Sequence, residues 1–467
     1  MLLFVRIIAG YPPDLLFCYD YINKSEESTP IKTPTRKILN LSIPAALNAL
    51  LDMLQILADL IMVGRISAAS IAAVGMSLQV VGLLYAGLTV FYVGTNSLVS
   101  RLHGAEEHRN VSSATYSLLR YALILSLPTM AVWYLVSDHL LWIMGASEAV
   151  AQIGGGYLGW LTLALPAIFV KYVLVSAMNG IGDTTTPFKV KFLAIILNVF
   201  LNYVFIFGNF GAPEMGVEGA ALATVIASIL ESLVYLVLLF KSSLFREKHF
   251  HYDRSLIQRA LKVGIPAGIE RTATFFSFVL FTVIIAHFGT AIMAGYQIGL
   301  RIEGLAFMPG IGFTVAAMTL MGQALGQNNR EKAHNDVVAT MKIAAWFMGS
   351  VGIFMVAVPE LFVYPFTDDQ AVIDAASIYL RIVGLSQVPL AMSFVLSGSL
   401  RGAGATRDTL RINLISLWAF RIIPAFLAAY FFHSILLVYI VMITETTIKA
   451  LWLWKAFQSG KWKDIKV

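Results

Sequence analysis

Four polar side chains recur along the first long apolar segment of the chain, and two of them are carboxylates. They are Asn48, Asp52, Gln55 and Asp59. With a turn of about 100° per residue, they sit at about 0°, 40°, −20° and 20° around a helix axis and share one face. Inserting a carboxylate at the centre of a bilayer costs about 2.5–3.5 kcal/mol. The stripe therefore predicts a helix face turned toward water, polar partners or a cation, and away from lipid.

Asp59 lies furthest from the start of this segment and is the residue best suited to carry a coupling ion. Low-dielectric surroundings favour the protonated form of a carboxylate, so proton uptake and release there can drive a carrier. The alternative is a structural role, in which neighbouring amides hold the carboxylate permanently. Asp52 lies two turns nearer the start of the segment, and a structural or water-exposed role is equally consistent with its position.

Asn198 and Asn202 form a second polar pair, on the fifth apolar segment. They are four residues apart, so they are neighbours on one helix face. Each side-chain amide both donates and accepts hydrogen bonds, which suits it to orient a carboxylate or to bind a cation. The alternative is that both residues hold helices together, a common use of asparagine in membranes. The sequence leaves both interpretations open.

A second polar stripe lies in the seventh apolar segment, where position 270 aligns with position 48. Its members, which align with the first three residues of the first stripe, are Glu270, Thr274 and Ser277. Phe281 stands where the first stripe has Asp59, so the two stripes distribute their acids differently. Glu270 is predicted to contribute to coupling, or else to pair with a basic residue such as Arg271.

One further pair, Gln297 and Arg301, lies four residues apart on the eighth apolar segment. It is predicted to line the pathway, with a buried ion pair to another helix as the alternative. The coupling residues are thus predicted to be Asp59, Asn198, Asn202 and Glu270. The substrate pathway is predicted to include Asn48, Asp52, Gln55, Thr274, Ser277, Gln297 and Arg301. No catalytic or metal-binding residue is predicted.

Long apolar segments must position these residues. The chain is 58% hydrophobic and 13% charged, whereas roughly a quarter of the residues in a soluble domain are charged. A membrane-crossing helix needs about 20 mostly apolar residues, and twelve stretches qualify. They run approximately 40–64, 70–98, 116–137, 150–178, 186–208, 216–241, 258–287, 291–322, 337–359, 371–400, 408–431 and 433–457. The sequence therefore predicts an all-α integral membrane protein with twelve transmembrane helices.

The chain contains an internal repeat at the same constant offset that aligns the two stripes. The matching positions are Ile43-Pro44-Ala45 with Ile265-Pro266-Ala267, Gly104 with Gly326, and Gly180-x-Gly182-x-Thr184 with Gly402-x-Gly404-x-Thr406. A repeat of six helices has copies of the same orientation, related by an axis along the membrane normal. We predict two parallel six-helix bundles with a pathway between them. The predicted boundaries are a tail 1–38, bundles 39–241 and 258–457, a linker 242–257 and a tail 458–467.

Basic residues predict the orientation of these helices. Twenty-four Lys and Arg residues fall in or beside the tails and the even-numbered connections, and Arg65 alone falls in an odd-numbered one. By the positive-inside rule, both termini are predicted to be cytoplasmic. The net charge of +6 is explained in this way by an anionic leaflet, so no nucleic-acid partner is expected. The lone Cys18 and the scattered His residues form no nucleophile or metal-ligand motif, which argues against an enzyme.

Several motifs together resemble the multidrug and toxic compound extrusion family, over nearly everything from about residue 36 onward. They are Leu41-Ser-Ile-Pro44, Leu57-Ala58-Asp59, Gly264-Ile-Pro-Ala-Gly-Ile-Glu270, Met321-Gly-Gln-Ala-Leu-Gly326 and Leu400-Arg-Gly-Ala-Gly404. The resemblance implies a plasma-membrane antiporter that exports cationic or amphipathic organic compounds in exchange for protons or sodium ions, with no other cofactor. The expected partners are that substrate and the lipid bilayer, and the expected state is a monomer. A flippase for lipid-linked precursors, from the same superfamily, is the alternative.

The resemblance also carries over to particular residues. The family's aspartate in the first helix maps onto Asp59, and its polar cluster in the fifth helix maps onto Asn198 and Asn202. Some members have an aspartate where this chain has Asn202, which is a departure from that pattern. Other members place a glutamate near Thr274, one turn beyond Glu270, and no central carboxylate in the tenth segment completes such a site. The coupling ion therefore stays open between proton and sodium.

Overall fold

The computed structural model describes residues 34–241 and 251–465, and this part of the chain is helical, without a strand. Ten of its helices are long and apolar enough to cross a membrane. Two further pairs of bent helices bring the number of spans to twelve if each pair crosses once. The predicted all-α fold is thus confirmed. Most of the predicted N-terminal tail, part of the linker and the last two residues lie outside the described residues.

Residues 34–241, called the N-half here, form seven helices. They are α1 Pro34–Val63, α2 Ala68–Gly104, α3 His108–Ile143, α4 Glu148–Thr162, α5 Leu165–Ile181, α6 Thr185–Phe207 and α7 Gly216–Lys241. A short 3₁₀ turn, Asn209–Gly211, precedes α7. Counted as one span, α4 and α5 give the N-half the six spans predicted for one repeat.

Residues 251–465, the C-half, repeat this order with more irregularity. Its helices are α8 Arg254–Ala286, α9 Thr290–Gly326, α10 Arg330–Ala357, α11 Pro359–Val363, α12 Gln370–Leu385, α13 Gln387–Gly402, α14 Thr406–Ile415, α15 Ile423–Tyr430 and α16 Ile435–Gln458. A π-helical segment, Ser416–Ile422, joins α14 to α15. A 3₁₀ turn, Lys461–Asp464, follows α16.

The fourth and tenth spans are bent, where the sequence predicts continuous segments 150–178 and 371–400. The bend between α4 and α5 is 56°, and that between α12 and α13 is 54°. The two breaks, at Ala164 and Ser386, are equivalent positions of the two repeats, so the irregularity is itself repeated. Pro166 and Pro389 lie in the first turns of α5 and α13, where proline fits a new helix but cannot continue an old one.

The two halves pack against each other through glycines on α2 and α9. We call the side of the molecule where α2 and α9 end, and where α1 and α8 begin, the basic face. Gly104 of α2 lies on the carbonyl of Gln323, and Gly326 of α9 lies on the carbonyl of Arg101, with no room for a Cβ atom at either glycine. Residues 101 and 104 are the repeat equivalents of 323 and 326. The contact is therefore one pseudo-symmetric crossing seen from its two sides.

Hydrogen bonds between the halves follow the same symmetry near this face. Ser97 Oγ donates to the carbonyl of Gly402 at 3.2 Å, and Thr319 Oγ1 donates to the carbonyl of Asn179 at 3.0 Å. Ser97 and Thr319 are repeat equivalents, and their acceptors differ by one position from equivalence. Because these hydroxyls are buried, their bonds to the opposite half help to hold the two halves together.

Gly94 provides a test of this packing, because its missing Cβ leaves room for the backbone of Ala260 in α8. Gly94→Ala should destabilise the protein by about 1–3 kcal/mol through overpacking and lower its melting temperature in detergent. Gly87→Ala is the matched control on the same helix, because a Cβ there meets nothing within 4 Å. Its melting temperature should be unchanged or higher. Equal melting temperatures for the two variants would contradict the described packing of α2 on α8.

Candidate functional site

Asp59 is buried inside the N-half, with only 7% of its surface exposed. Its Oδ1 accepts a hydrogen bond of 2.5 Å from Asn202 Nδ2. Asn202 Nδ2 also lies 3.3 Å from Asn198 Oδ1, and Asn198 Nδ2 donates to Thr224 Oγ1 at 3.3 Å. The chain of hydrogen bonds ends where Thr224 donates to the carbonyl of Ala220. The structure thus brings together three of the four residues predicted for coupling, from α1 and α6, and anchors them on α7.

The carbonyl oxygen of the Asn202 side chain is buried and accepts no hydrogen bond from the described residues. A buried acceptor without a partner costs about 1–3 kcal/mol. A proton on Asp59, or a cation between the two side chains, would give this oxygen a partner. The pair therefore has spare acceptor capacity, which is what exchange of a bound cation requires and what a permanently satisfied packing contact lacks.

The middle of the predicted stripe on α1 is held by Lys191 of α6. Its Nζ lies 2.7 Å from Asp52 Oδ1 and 2.8 Å from Gln55 Oε1. Lys191 is 5% exposed, whereas the Asp52 side chain is 57% exposed. Asp52 is therefore both paired and accessible. Asn48, at the start of the stripe, keeps a buried Oδ1 without a partner among the described residues.

Lys191 is a site residue that was predicted only as one of the twenty-four basic residues beside the tails and even-numbered connections. The helical period could have identified it. Lys191 lies seven residues before Asn198 and eleven before Asn202, so all three share one face of α6 within about 40°. A lysine on the face that carries the predicted amides is better placed to meet the polar stripe of α1 than to extend into a loop.

Glu270 is the centre of a hydrogen-bonded cluster in the C-half and is 4% exposed. Its carboxylate accepts from Arg401 at 2.5 Å, from Asn413 Nδ2 at 2.6 Å and from Thr409 Oγ1 at 3.0 Å. The ion-pair alternative is therefore found, with Arg401 of α13 in place of the sequence neighbour Arg271. The cluster ties α8 to α13 and α14, so a structural function is evident from its contacts.

The side chains of the other members of the second stripe do not join this cluster. Thr274 Oγ1 donates to the backbone carbonyl of Glu270 at 2.8 Å. The Ser277 hydroxyl is buried without a partner among the described residues. The carboxylate of Glu270 is therefore bonded to residues of other spans and not to the side chains of its own stripe.

Gln297 and Arg301 are both exposed on α9. They share a face with Gly304, beside which lies the methyl group of Met53 from α1. This face therefore points toward the N-half. Arg301 makes no ion pair with any residue that the structure describes, so the ion-pair alternative is wrong for this part of the chain.

A second buried charge cluster occupies the C-half where the N-half has Asp59. The Arg421 guanidinium, on the π-helical segment, lies 5.5 Å from the ring centre of Phe281, the repeat equivalent of Asp59. Glu445 Oε2 is 3.6 Å from Arg421, and Glu445 Oε1 is 3.1 Å from Lys449 Nζ. The guanidinium of Arg421 thus lies over the position at which the N-half has a carboxylate. Within the described residues, no three His, Cys, Asp or Glu side chains come together to hold a metal ion.

The Glu270 cluster makes a prediction about stability. Glu270→Gln should lower the free energy of unfolding by about 3–5 kcal/mol, because it leaves the Arg401 charge buried without its partner. Adding Arg401→Gln to this variant should recover part of the loss. Melting temperature and substrate binding are measured on the same samples. An unchanged melting temperature in the single variant would show that the ion pair does not hold α8, and a loss of binding alone would assign Glu270 to the pathway.

Comparisons with known proteins agree with this architecture. The MatE family model matches residues 44–204 and 266–427, two blocks that begin at equivalent positions of the two repeats. The probable multidrug resistance protein NorM of Thermotoga maritima is 30% identical over 437 residues, covering 92% of this chain and 93% of its own. The multidrug resistance protein MdtK of Pectobacterium atrosepticum is 27% identical and covers 85% and 88%.

Solved structures show the same fold at lower sequence identity. A MOP superfamily transporter from Pyrococcus furiosus superposes with a TM-score of 0.85 at 23% identity, covering 92% of this chain and 97% of its own. A MATE family transporter solved in an outward-facing conformation gives 0.84, with the same identity and coverage. The repeated six-span halves and the family match over both repeats lead to one conclusion: this chain belongs to the MATE family of multi-pass membrane transporters.

Proposed function

We propose that the protein is a secondary active antiporter that exports cationic or amphipathic organic compounds in exchange for protons or sodium ions. It acts as a monomer in the plasma membrane, with the basic face and both termini in the cytoplasm. The observation that carries the proposal is the site of Asp59, Asn202 and Asn198. There, a single buried carboxylate meets an amide with an unused acceptor.

The hydrogen bond between Asp59 and Asn202 joins α1 to α6, so a change in the charge of Asp59 changes how these helices are held. In its ionised form, the carboxylate accepts from the amide nitrogen. A protonated carboxyl group is also a donor, and it can bond to the free amide oxygen of Asn202. Cation binding at this pair therefore replaces one hydrogen bond between α1 and α6 with another and changes how the two helices pack.

Helix α1 also forms part of the contact between the halves. Ser42 and Ala46 of α1 lie against Gly312 of α9 without room for a Cβ atom. Pro44 interrupts the hydrogen bonding of α1 at this level. A movement of α1 at Asp59 can therefore alter the packing of the two halves near the basic face, because both sites lie on α1. This connection supports alternating access, in which the two halves close on one side of the membrane while they part on the other.

The names of the curated relatives favour drug export over the alternative, transfer of a lipid-linked precursor. The NorM and MdtK proteins are both named as multidrug resistance proteins. A flippase would have to carry a charged headgroup with its lipid tail. Uptake of a lipid-linked diphosphate into the opposite leaflet of vesicles, without export of organic dyes, would favour that alternative.

Asp59→Asn tests the proposal, because it keeps the size and hydrogen bonding of the side chain while removing its charge. Purified protein in vesicles is given a pH gradient or a sodium gradient, and accumulation of ethidium against its own gradient is measured. The variant should lose most ion-driven accumulation, because no group remains at this site to take up the coupling cation. Asp374→Asn is the matched control, since Asp374 is exposed and, among the described residues, is bonded only to Gln370.

The control should transport at the wild-type rate. Wild-type rates in the Asp59→Asn variant would make Asp59 a packing residue and remove the central support for ion coupling at this site. Ethidium movement that ignores both gradients in the wild type would contradict antiport itself.

A further inference from the structure

Arg271 is a charged residue on α8 that the Glu270 cluster does not use. It is exposed and forms no ion pair with any residue that the structure describes. Its neighbour Glu270 is already neutralised by Arg401. An unpaired guanidinium within a membrane span cannot face lipid without a large cost. Arg271 must therefore face an aqueous space.

The neighbours of Arg271 place that space between the two halves. Arg271 shares a face of α8 with Phe275, whose ring would meet a Cβ atom at Gly82 of α2 at 3.4 Å, so this face is turned toward the N-half. Tyr172 of α5 lies within electrostatic range of the Arg271 guanidinium. Tyr172 in turn lies within electrostatic range of Asp52, a predicted pathway residue, and of its partner Lys191. The centre of the Tyr172 ring lies 6.0 Å from that of Tyr85 on α2, and Tyr85 is 37% exposed. Arg271 thus lies on the face of α8 that is turned toward these two rings.

The acidic groups of the N-half near this space already have their own partners. Asp52 is paired with Lys191 at 2.7 Å, and Glu231 is paired with Lys171 at 3.3 Å. Asp59 is withdrawn into its half and bonded to Asn202. The positive charge of Arg271 is therefore not balanced by the opposite wall.

Arg301 adds to this imbalance from the same half. It is exposed on the face of α9 that points toward α1, and it too has no ion-pair partner among the described residues. The C-half thus presents two unbalanced guanidinium groups to the space between the halves. An arginine binds a carboxylate through two parallel hydrogen bonds, and a desolvated site strengthens them.

We propose that the preferred substrate is an aromatic amphiphile with a carboxylate or similar anionic group. Arg271 binds the anionic group, and Tyr85 and Tyr172 pack on the aromatic body. The inference rests on the proposed export function and names, among its amphipathic substrates, the aromatic compounds with an anionic group as those bound most tightly.

A pair of dyes that differ only in this group tests the proposal. The probes are a xanthene dye with a free benzoate and the methyl ester of the same dye. Equilibrium binding to the full-length protein in lipid nanodiscs is followed by fluorescence polarisation. The benzoate dye should bind about tenfold more tightly than the ester, the difference expected from one charge-assisted hydrogen bond. Arg271→Gln should abolish that difference, and Arg271→Lys should keep only part of it, because an ammonium group keeps the charge but cannot form both parallel hydrogen bonds.

Arg65→Gln is the control, because it removes an exposed arginine from the connection between α1 and α2. It should leave the preference for the benzoate intact. Equal or tighter binding of the ester to the wild type, or binding of neither dye, would overturn the proposal. So would a preference for the benzoate that survives Arg271→Gln. None of these outcomes decides ion coupling, since this measurement uses no gradient and the ethidium assay judges export independently.

Discussion

A carboxylate inside a membrane protein must be protonated, paired, hydrogen-bonded or wetted, and this requirement accounts for the arrangement of charge throughout the structure. Asp52 and Glu231 have lysine partners, and Glu270 has an arginine. Asp59 differs, because it has only amide partners and no cation of its own at bonding distance. Among the described residues, Glu303 also lacks a basic partner, but its carboxylate accepts from the hydroxyl of Tyr379. Asp59 instead adjoins the Asn202 oxygen that has no partner, and this arrangement is the basis of the proposed mechanism.

The two halves use one architecture for two kinds of chemistry. Their spans, their broken helices and their glycine contacts occur at equivalent positions of the internal repeat. Their charged residues do not repeat. Where the N-half has Asp59, the C-half has Phe281 beneath the fixed guanidinium of Arg421. Backbone packing between the halves constrains both copies to the same shape, whereas side chains that face inward within one half are free to diverge. The proposed cation exchange therefore belongs to the half that carries no permanent cation at this position.

Helical periodicity and the internal repeat predicted the features that depend on neighbours along one helix. The shared face of Asn198 and Asn202 is of this kind, whereas their assignment to one site with Asp59 followed from the family resemblance. The sequence could not predict that Arg401 would reach Glu270, because the two residues lie on different spans and meet only through tertiary packing. Long apolar stretches also concealed the bends at Ala164 and Ser386, since hydrophobicity gives the length of a span and not its direction. Lys191 was counted among the basic residues that set orientation because it lies near a helix end. The face that it shares with Asn198 and Asn202 predicts its place in the site instead.

Ion exchange between the two sides of the membrane is the central claim, and reverse coupling tests it most directly. Vesicles containing the purified protein are loaded with ethidium at equal pH and equal sodium on both sides. Ion movement is then recorded with the dye. Exit of the dye down its own gradient should drive protons or sodium ions in the opposite direction, against the gradient that this movement creates. Dye exit without any opposing ion movement would show that the protein is a passive pathway and would contradict the account.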